Sequence, residues 1–318
     1  MDAAPPESIG AAGVRIGLSA VVIALRDGVA CVLTTPGIDG AAALPFGPFD
    51  PVRDRTFELA LRAFVTAQTG FRLGFVEQLY TFGDLGRDSP RATPGPERRR
   101  EVSIGYLALT ADSADAPLAG ARWTPVLDVF PWEDRRDGPA ACLPAILEAL
   151  AAWAGGDPRR QARVDALFAA GPDARWNESR VLERYELLYE AGLVAEAARD
   201  RDLPPPPVVC GRPMVSDHRR ILATGLGRLR AKLRYRPVLF DLMPETFTLS
   251  GLQAAAEAVS GLCLHKQNFR RGVERTGLVR PTGRLSVATG GRPAELFRLA
   301  DGDLSAADAL GLPLPAQR

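Results

Sequence analysis

The sequence predicts a chain of α/β plus α+β class that is built in three parts. Residues 1–130 alternate strand-like runs with one helical pattern, and residues 131–213 carry helical periodicity that ends in a proline-rich linker. Residues 214–318 hold three helical patterns followed by two short strands. The chain has 318 residues, of which 46% are hydrophobic and 24% are charged, so it is globular in composition and long enough for two domains or more.

Strand-like runs dominate the first part. They are VVIALRDGVACVLTT at 21–35, EQLYTF at 77–82 and VSIGYLALT at 102–110, and a helical pattern occupies 56–68. The charged, proline-rich stretch RDSPRATPGPERRRE at 87–101 predicts an exposed loop between two strands. Together these patterns predict an α/β domain.

The middle part is predicted to be a helical insert. One helix is expected in ACLPAILEALAAWAG at 141–155, and a second in PRRQARVDALFAAG, with Pro158 in its first turn. A third is expected to begin at Asn177 as N-cap and to continue through VLERYELLYEAGLVAEAARD. The run PPPP at 204–207 predicts a stiff, extended spacer and a boundary.

Composition excludes several classes of protein. The 4 cysteines are far apart with no CxxC pair, so we expect neither a disulfide framework nor a zinc site, and we expect a reduced, cytoplasmic chain. The first residues lack the basic and apolar regions of a signal peptide. The apolar run LSAVVIAL at 18–25 is too short to span a bilayer, so no membrane partner is expected.

The net charge of +1 conceals an asymmetry. Met214–Leu299 contains 15 Lys and Arg against 6 Asp and Glu, about +9, while the remainder holds 39 − 15 = 24 basic and 38 − 6 = 32 acidic residues, about −8. A basic module on an acidic body predicts a polyanionic partner for that module. The alternative is an ordinary solvated basic surface.

The third part has the pattern of a winged helix-turn-helix. In HKQNFRRGVERTG, Phe269 and Val273 are one helical turn apart and can face the core, while basic and amide side chains face outward. Arginine can bind guanine, and asparagine or glutamine can bind adenine, in the major groove. Thr248 is expected to cap the preceding helix, where hydroxyls and backbone N–H groups can hold a phosphate. The predicted DNA contacts are Thr248, Ser250, Lys266, Gln267, Asn268, Arg270, Arg271 and, in the wing, Arg292. A purely structural basic helical bundle is the alternative.

Residues 217–299 resemble the C-terminal domain of the Nudix-related transcriptional regulators of NAD metabolism. The resemblance rests on ETFTLSGLQ, KQNFRR and GRPAELFR, with Met243-Pro244 where that family has Leu-Pro. It implies binding of palindromic double-stranded operator DNA by a homodimer. It also implies operator contact by Lys266, Asn268, Arg270, Arg271 and Arg292.

The first part resembles the domain that precedes this one in the same family. YTFGDLGRD at 80–88, LPFGPF at 44–49 and VSIGYLAL at 102–109 carry the likeness, which implies a Nudix-like α/β/α sandwich. A Nudix hydrolase gathers glutamates on one helix to hold a divalent metal against a diphosphate. In RAFVTAQTGF at 62–71, anchored on Gly70-Phe71, the glutamate positions hold Phe64, Ala67 and Gln68.

The loss of these carboxylates predicts a domain that binds a nucleotide without cleaving it. We therefore expect no catalytic residue, no metal ligand and no required cofactor, so the protein is not expected to be an enzyme. Two alternatives stay open: a domain kept only for dimerisation, and a divergent Nudix hydrolase of ADP-ribose or a related dinucleotide.

The expected effector is an adenine nucleotide. The resemblance places Tyr80, Phe82, Asp84, Arg87 and Arg122 on or near segments that line the family's pocket, where an aromatic ring can stack on adenine and arginine can pair with phosphate. Tyr80 and Phe82 fit equally well as strand core residues. The insert, with LERYELLYEAGLV at 182–194, resembles a longer alphaproteobacterial subgroup that regulates NAD biosynthesis. That subgroup implies ATP or NAD as the effector, and the compact family implies ADP-ribose. The insert favours the longer subgroup, but the predicted pocket residues do not distinguish between ligands that share ADP.

Overall fold

The computed structural model describes residues 13–37, 40–83, 100–111, 120–171, 174–206, 208, 211–286 and 293–300. A mixed sheet organises the first part of the chain. Its strands are β1 (Val14–Arg26), β2 (Val29–Pro36), β3 (Ala42–Ala43), β4 (Phe46–Pro48), β5 (Phe75–Phe82), β6 (Arg100–Thr110) and β7 (Arg122–Pro125). The order is β3-β2-β1-β6-β5, with β4 paired to β1 and β7 paired to β2. The central pair, β1 and β6, is parallel and in register from Val14↔Arg100 to Ala24↔Thr110.

Helices cover both faces of this sheet, which confirms the predicted α/β/α sandwich. Helix α1 (Phe57–Thr69) packs Leu61 and Val65 on one face. It begins at Thr56, whose side chain accepts a hydrogen bond from the Leu59 N–H, and ends at Gly70 in the left-handed region. The other face is covered by a helix from much later in the chain, at His218–Lys232.

The insert is helical, with two departures from the prediction. A short helix, α2 (Val126–Val129), precedes the insert. The insert begins with a short 3-10 turn at Pro131–Glu133 and contains α3 (Leu143–Ala154), α4 (Pro158–Phe168), α5 (Val181–Glu190) and α6 (Ala195–Arg201). The predicted third helix is two helices, because Gly192 takes a φ of 74° between them. Asn177 is not a helix N-cap: its side chain accepts from the Ser179 N–H, and α5 begins at Val181. The segment before α5 is held by tertiary contacts, since the fully buried Glu178 pairs with Arg234.

The last part is a winged helix-turn-helix. It contains α7 (His218–Lys232), a 3-10 turn at Val238–Leu242, α8 (Leu249–Ser260), α9 (Lys266–Thr276), β8 (Val279–Ser286) and β9 (Ala294–Leu299). Thr248 caps α8 as predicted, accepting from the Gly251 N–H at 3.0 Å. Phe247 pairs with the hairpin through an antiparallel bridge to Phe297 of β9. Its N–H donates to the Phe297 carbonyl at 2.9 Å, and its carbonyl accepts from the Phe297 N–H at 2.7 Å. No helix among the described residues is long and apolar enough to cross a membrane.

Helix α7 packs against all three parts of the chain. It follows the predicted boundary at residues 213/214, yet it packs on the sheet, on the insert and on α8. Two of its glycines sit at close contacts: a Cβ added at Gly225 would lie 3.0 Å from Val21 of β1, and one at Gly227 would lie 2.8 Å from the Ser179 carbonyl oxygen. Glycine disfavours a helix interior, so close approach on both sides explains its presence in ATGLGRL.

We expect Gly227→Ala to lower the free energy of unfolding by about 1–3 kcal/mol, as overpacked positions do. Alanine favours a helix more than glycine, so local propensity predicts the opposite sign. Urea unfolding midpoints would measure the change. The control is Thr224→Ala on the same helix, because the Thr224 hydroxyl bonds within the helix to Arg220 O. A Gly227→Ala protein at least as stable as the parent would contradict the contact with Ser179.

Candidate DNA interface and effector cleft

Helix α9 exposes a polar face opposite an apolar one. Phe269 is 1% exposed and Val273 is 0% exposed, and both pack into the core. The exposed side chains of α9 are Lys266, Gln267, Asn268, Arg271, Glu274 and Arg275, of which Gln267, Arg271 and Glu274 lie opposite the apolar face. The arrangement has the geometry that a helix in the major groove requires.

Three of the predicted DNA contacts, Thr248, Ser250 and Arg270, have partners within the protein. Arg270 is half-buried, and its Nη2 donates to Ser250 Oγ at 3.1 Å, so it does not project freely as the helical pattern predicted. This bond ties α9 to the first turn of α8. The Thr248 hydroxyl already accepts from the Gly251 N–H as the α8 cap. Ser250 is exposed beside it.

The wing contributes basic residues that the sequence analysis did not single out. Arg280 and Arg284 are exposed on β8, and Arg275 is exposed in the last turn of α9. The charge of the segment LVRPTGRL was the available signal. Arg292, which was predicted to reach the phosphate or the minor groove, lies outside the described residues.

Part of the basic charge of residues 214–299 is paired within the protein. At least five of its basic side chains form ion pairs with glutamates from the preceding parts of the chain, so they hold the molecule together rather than face DNA. These pairs are Arg219–Glu196, Arg220–Glu186, Arg230–Glu133, Lys232–Glu77 and Arg234–Glu178. The exposed basic charge described above is concentrated on α9 and β8.

A buried ionic network centres on Glu133. Its two carboxylate oxygens accept from Arg184 at 2.6 and 2.8 Å and from Arg230 at 2.5 Å, and all three side chains are 0% exposed. Arg230 also donates from Nε to the Val259 carbonyl of α8 at 2.8 Å. Burial lowers the pKa of the Arg230 guanidinium from its usual value, and the Glu133 carboxylate opposes that shift. The network therefore joins the insert, α7 and α8.

The residues at the glutamate positions of a Nudix helix contact the loop around Phe46 and Gly47. The Phe64 ring lies against Gly47, where an added Cβ would come within 3.1 Å of it. Gln68 bonds both backbone groups of Phe46, accepting from its N–H at 3.3 Å and donating to its carbonyl at 2.6 Å. Glu58 is paired with Arg62 at 2.8 Å. Among the described residues, no group of three His, Cys, Asp or Glu side chains is placed to hold a metal ion.

A cleft of about 540 Å³ opens between the sheet and the start of α7. Buried hydroxyls line its floor, where Ser19 and Ser103 bond at 3.0 Å. His218 is buried, accepts from the Leu44 N–H at its Nδ1 at 3.0 Å, and meets the Phe46 ring edge-on at 5.0 Å. The remaining lining residues are Arg15, Gly17, Leu18, Pro36, Gly37, Glu101, Val215, Ser216 and Asp217. An open, mixed polar and apolar cleft of this size suits a nucleotide-sized ligand.

The predicted nucleotide contacts are not gathered in one place. Tyr80 is 63% exposed on the edge strand β5, whereas Phe82 is 5% exposed and packs against Gly105 and Ile221 in the core. Arg122 is exposed on β7, four strands away from β5, which at about 4.8 Å per strand is about 19 Å. Asp84 and Arg87 lie outside the described residues. Sequence reasoning missed the Ser19–Ser103 pair, because its members are 84 residues apart.

Comparisons with known proteins locate this architecture. Residues 239–299 match the NrtR DNA-binding winged helix domain family. The ADPR responsive transcriptional repressor NtrR of Acinetobacter baylyi is 40% identical over 84 residues, which are 26% of this chain. The chain spans about a third of that protein's length, the match covering 33% of it.

Solved structures extend the likeness to the whole fold. The Shewanella oneidensis NrtR complexed with a 27mer DNA has a TM-score of 0.55 at 20% identity, covering 93% of this chain and 98% of that one. A MutT/nudix family protein from Enterococcus faecalis has a TM-score of 0.52 at 14% identity, covering 91% of this chain and 87% of the other. At these identities the likeness concerns the fold. The chain therefore has the fold of the Shewanella oneidensis NrtR, and its residues 239–299 match the NrtR winged helix family.

Proposed function

We propose that this protein is a transcriptional repressor that binds operator DNA through α9 and the β8–β9 wing and responds to a nucleotide bound in its Nudix-like domain. The observation that carries the proposal is the exposed face of α9, with Lys266, Gln267, Asn268 and Arg271, inside the segment that matches the NrtR winged helix family. In this proposal the protein binds a palindromic site as a homodimer, because the two-fold symmetry of a dimer matches that of a palindrome. The resemblance to regulators of NAD metabolism suggests that the target genes serve NAD biosynthesis. The proposed interface also includes Thr248, Ser250, Arg270 and Arg292.

ADP-ribose is the effector we favour. The curated relative from Acinetobacter baylyi is described as ADPR responsive. ATP and NAD share the ADP moiety and are the competing effectors. We place the effector in the cleft beside the Ser19–Ser103 pair. Tyr80, Phe82 and Arg122 do not line this cleft, so in this proposal Tyr80 and Arg122 contact the ligand only where it extends towards β5 or β7, and Phe82 serves the core.

In this proposal the Nudix-like domain senses its ligand and does not hydrolyse it. Phe64 and Gln68 occupy the metal-ligand positions of the helix and contact the loop around Phe46 and Gly47 instead. Neither side chain supplies the anionic oxygens that magnesium prefers. A divergent hydrolase is the competing function, because this chain shares its fold with a MutT/nudix family protein from Enterococcus faecalis.

Fluorescence anisotropy of the full-length protein on labelled DNA tests the proposal. The DNA comes from upstream of its own gene and of NAD-synthesis genes, with random DNA of equal length as control. We expect saturable, sequence-specific binding that weakens with salt and that ADP-ribose alters more than ATP or NAD do. Binding equal to that of random DNA, with no nucleotide response, would overturn the repressor. Magnesium-dependent release of AMP from ADP-ribose, in proportion to protein, would favour the hydrolase.

A further inference from the structure

The helical insert contacts the wall of the cleft. On α6, Arg199 donates from Nη1 to the Met214 carbonyl at 3.0 Å and from Nη2 to the Ser216 carbonyl at 2.6 Å. The neighbouring Glu196 accepts from the Met214 N–H at 2.9 Å and is 1% exposed. Ser216 lines the cleft, so α6 reaches the cleft wall from behind.

This wall is a strained segment with two anchors. Ser216 takes a φ of 46°, in the left-handed region that non-glycine residues rarely adopt. One anchor is the sheet, since the Val215 N–H donates to the Ala42 carbonyl at 3.0 Å. The other is Arg199, whose guanidinium fork holds the carbonyls on both sides of Val215. Such a conformation persists only where its surroundings hold it.

The opposite end of the insert contacts the helix-turn-helix. The Arg135 N–H donates to the Gly261 carbonyl at 2.7 Å, just after α8 and before α9. The space beside Gly261 is closed by the insert as well, because a Cβ there would lie 2.3 Å from the Glu133 carbonyl oxygen. The turn that leads into α9 is therefore seated directly on the insert.

Ion pairs bind α7 to the insert along its length. Four arginines on or just after α7 pair with four glutamates that all lie in residues 131–213. They are Arg219–Glu196, Arg220–Glu186, Arg230–Glu133 and Arg234–Glu178. These ion pairs join α7 to the insert near both ends of the helix. The insert therefore resists displacement of the cleft wall, which lies at the start of α7. Interfaces of this kind switch between discrete arrangements rather than deform continuously.

We propose that Arg199 is a positioning residue for the effector response, and that the insert carries the state of the cleft wall to the turn before α9. This inference rests on the proposed function, in which a nucleotide in the cleft changes DNA affinity. An effector can do so only if it binds the two states of the wall differently. Arg199 is one of two anchors of the wall, so its loss frees the wall from the insert while Val215 stays bonded to the sheet.

The test measures coupling with Arg199→Met in the full-length protein. Operator affinity is measured with and without ADP-ribose, and ADP-ribose affinity with and without operator, since true coupling is reciprocal. We expect the effect of ADP-ribose on operator affinity to fall from roughly 5–150-fold in the parent, the usual range, to about 2-fold or less. Operator affinity without nucleotide stays near the parent value. Arg199→Lys should give an intermediate response, because lysine cannot reproduce the two-pronged contact.

Arg201→Met is the matched control. Arg201 is on the same helix and loses the same charge, but it contacts the Glu190 carbonyl and the Tyr189 ring, away from the cleft wall. Parent-like coupling in Arg199→Met, or equal loss in Arg201→Met, would overturn the role of Arg199. A parent protein whose operator binding no nucleotide alters would instead overturn the proposed function, and this inference with it.

Discussion

Glu133→Gln is expected to lower the free energy of unfolding by about 3–5 kcal/mol, the usual loss when one partner of a buried ion pair is removed. Glu133, Arg184 and Arg230 are all 0% exposed, and both arginines bond to the one carboxylate. Glutamine has nearly the same volume, so the substitution removes charge rather than packing. Two guanidinium groups then stay in the interior without the carboxylate that both of them contact. Urea unfolding followed by circular dichroism would measure the loss.

The adjacent acid provides the control. Asp134→Asn removes a carboxylate whose partner is Arg136, with side chains 35% and 34% exposed, so it should cost about 1 kcal/mol or less. The Arg136 hydrogen bond holds the pKa of Asp134 below its usual value, so that contribution is present at neutral pH and is lost as the pH falls through the lowered pKa. Should Glu133→Gln unfold before purification, Arg230→Met leaves Glu133 paired with Arg184 and should be milder. Equal midpoints for Glu133→Gln and Asp134→Asn would contradict the network.

The second large effect is expected at the proposed DNA surface. Arg271→Ala should weaken operator binding by about 1–3 kcal/mol if the guanidinium reads a base. Arg271 is exposed on the face of α9 opposite the buried Phe269 and Val273, the face that a recognition helix turns towards the major groove. Because a base contact acts on one sequence, binding to random DNA should change far less. Anisotropy on operator and random DNA measures both.

Arg53→Ala is the control for charge. It removes one positive charge from the Nudix-like domain, where the Arg53 side chain is 87% exposed. An equal loss on operator and random DNA for Arg271→Ala would assign the residue to a phosphate. Unchanged binding to both would remove it from the interface. Arg270→Ala should act differently from both variants. Arg270 bonds to Ser250 and so supports the packing of α9 on α8, and its loss should disturb the position of α9 itself.

The spacing of apolar residues and the capping residues predicted those helices whose ends and faces depend on neighbouring residues in the chain. The period of apolar residues located α1, α4, α8 and α9, and Thr248 was identified correctly as a cap. It failed at Asn177, where a buried Glu178 holds the chain out of a helix, and at Gly192, where the predicted third helix breaks. In both places a tertiary contact or a turn outweighs helical periodicity.

The candidate sites divide in the same way. The outward face of α9 followed from helical spacing, because its residues are neighbours along one turn or two. The cleft did not, because Ser19, Ser103 and His218 meet only when β1, β6 and α7 come together. Sequence charge did not show either that arginines of α7 pair with glutamates elsewhere in the chain.

Sequence patterns alone predict the three-part order of elements, the winged helix with its exposed basic helix, and the loss of the carboxylates from the Nudix-type helix. These features are properties of residue type and short spacing. Tertiary structure decided that α7 closes the sandwich, that the insert seats both the cleft wall and the turn before α9, and which charges are buried. Such features depend on pairs like Glu133 and Arg230, 97 residues apart, which no local pattern relates.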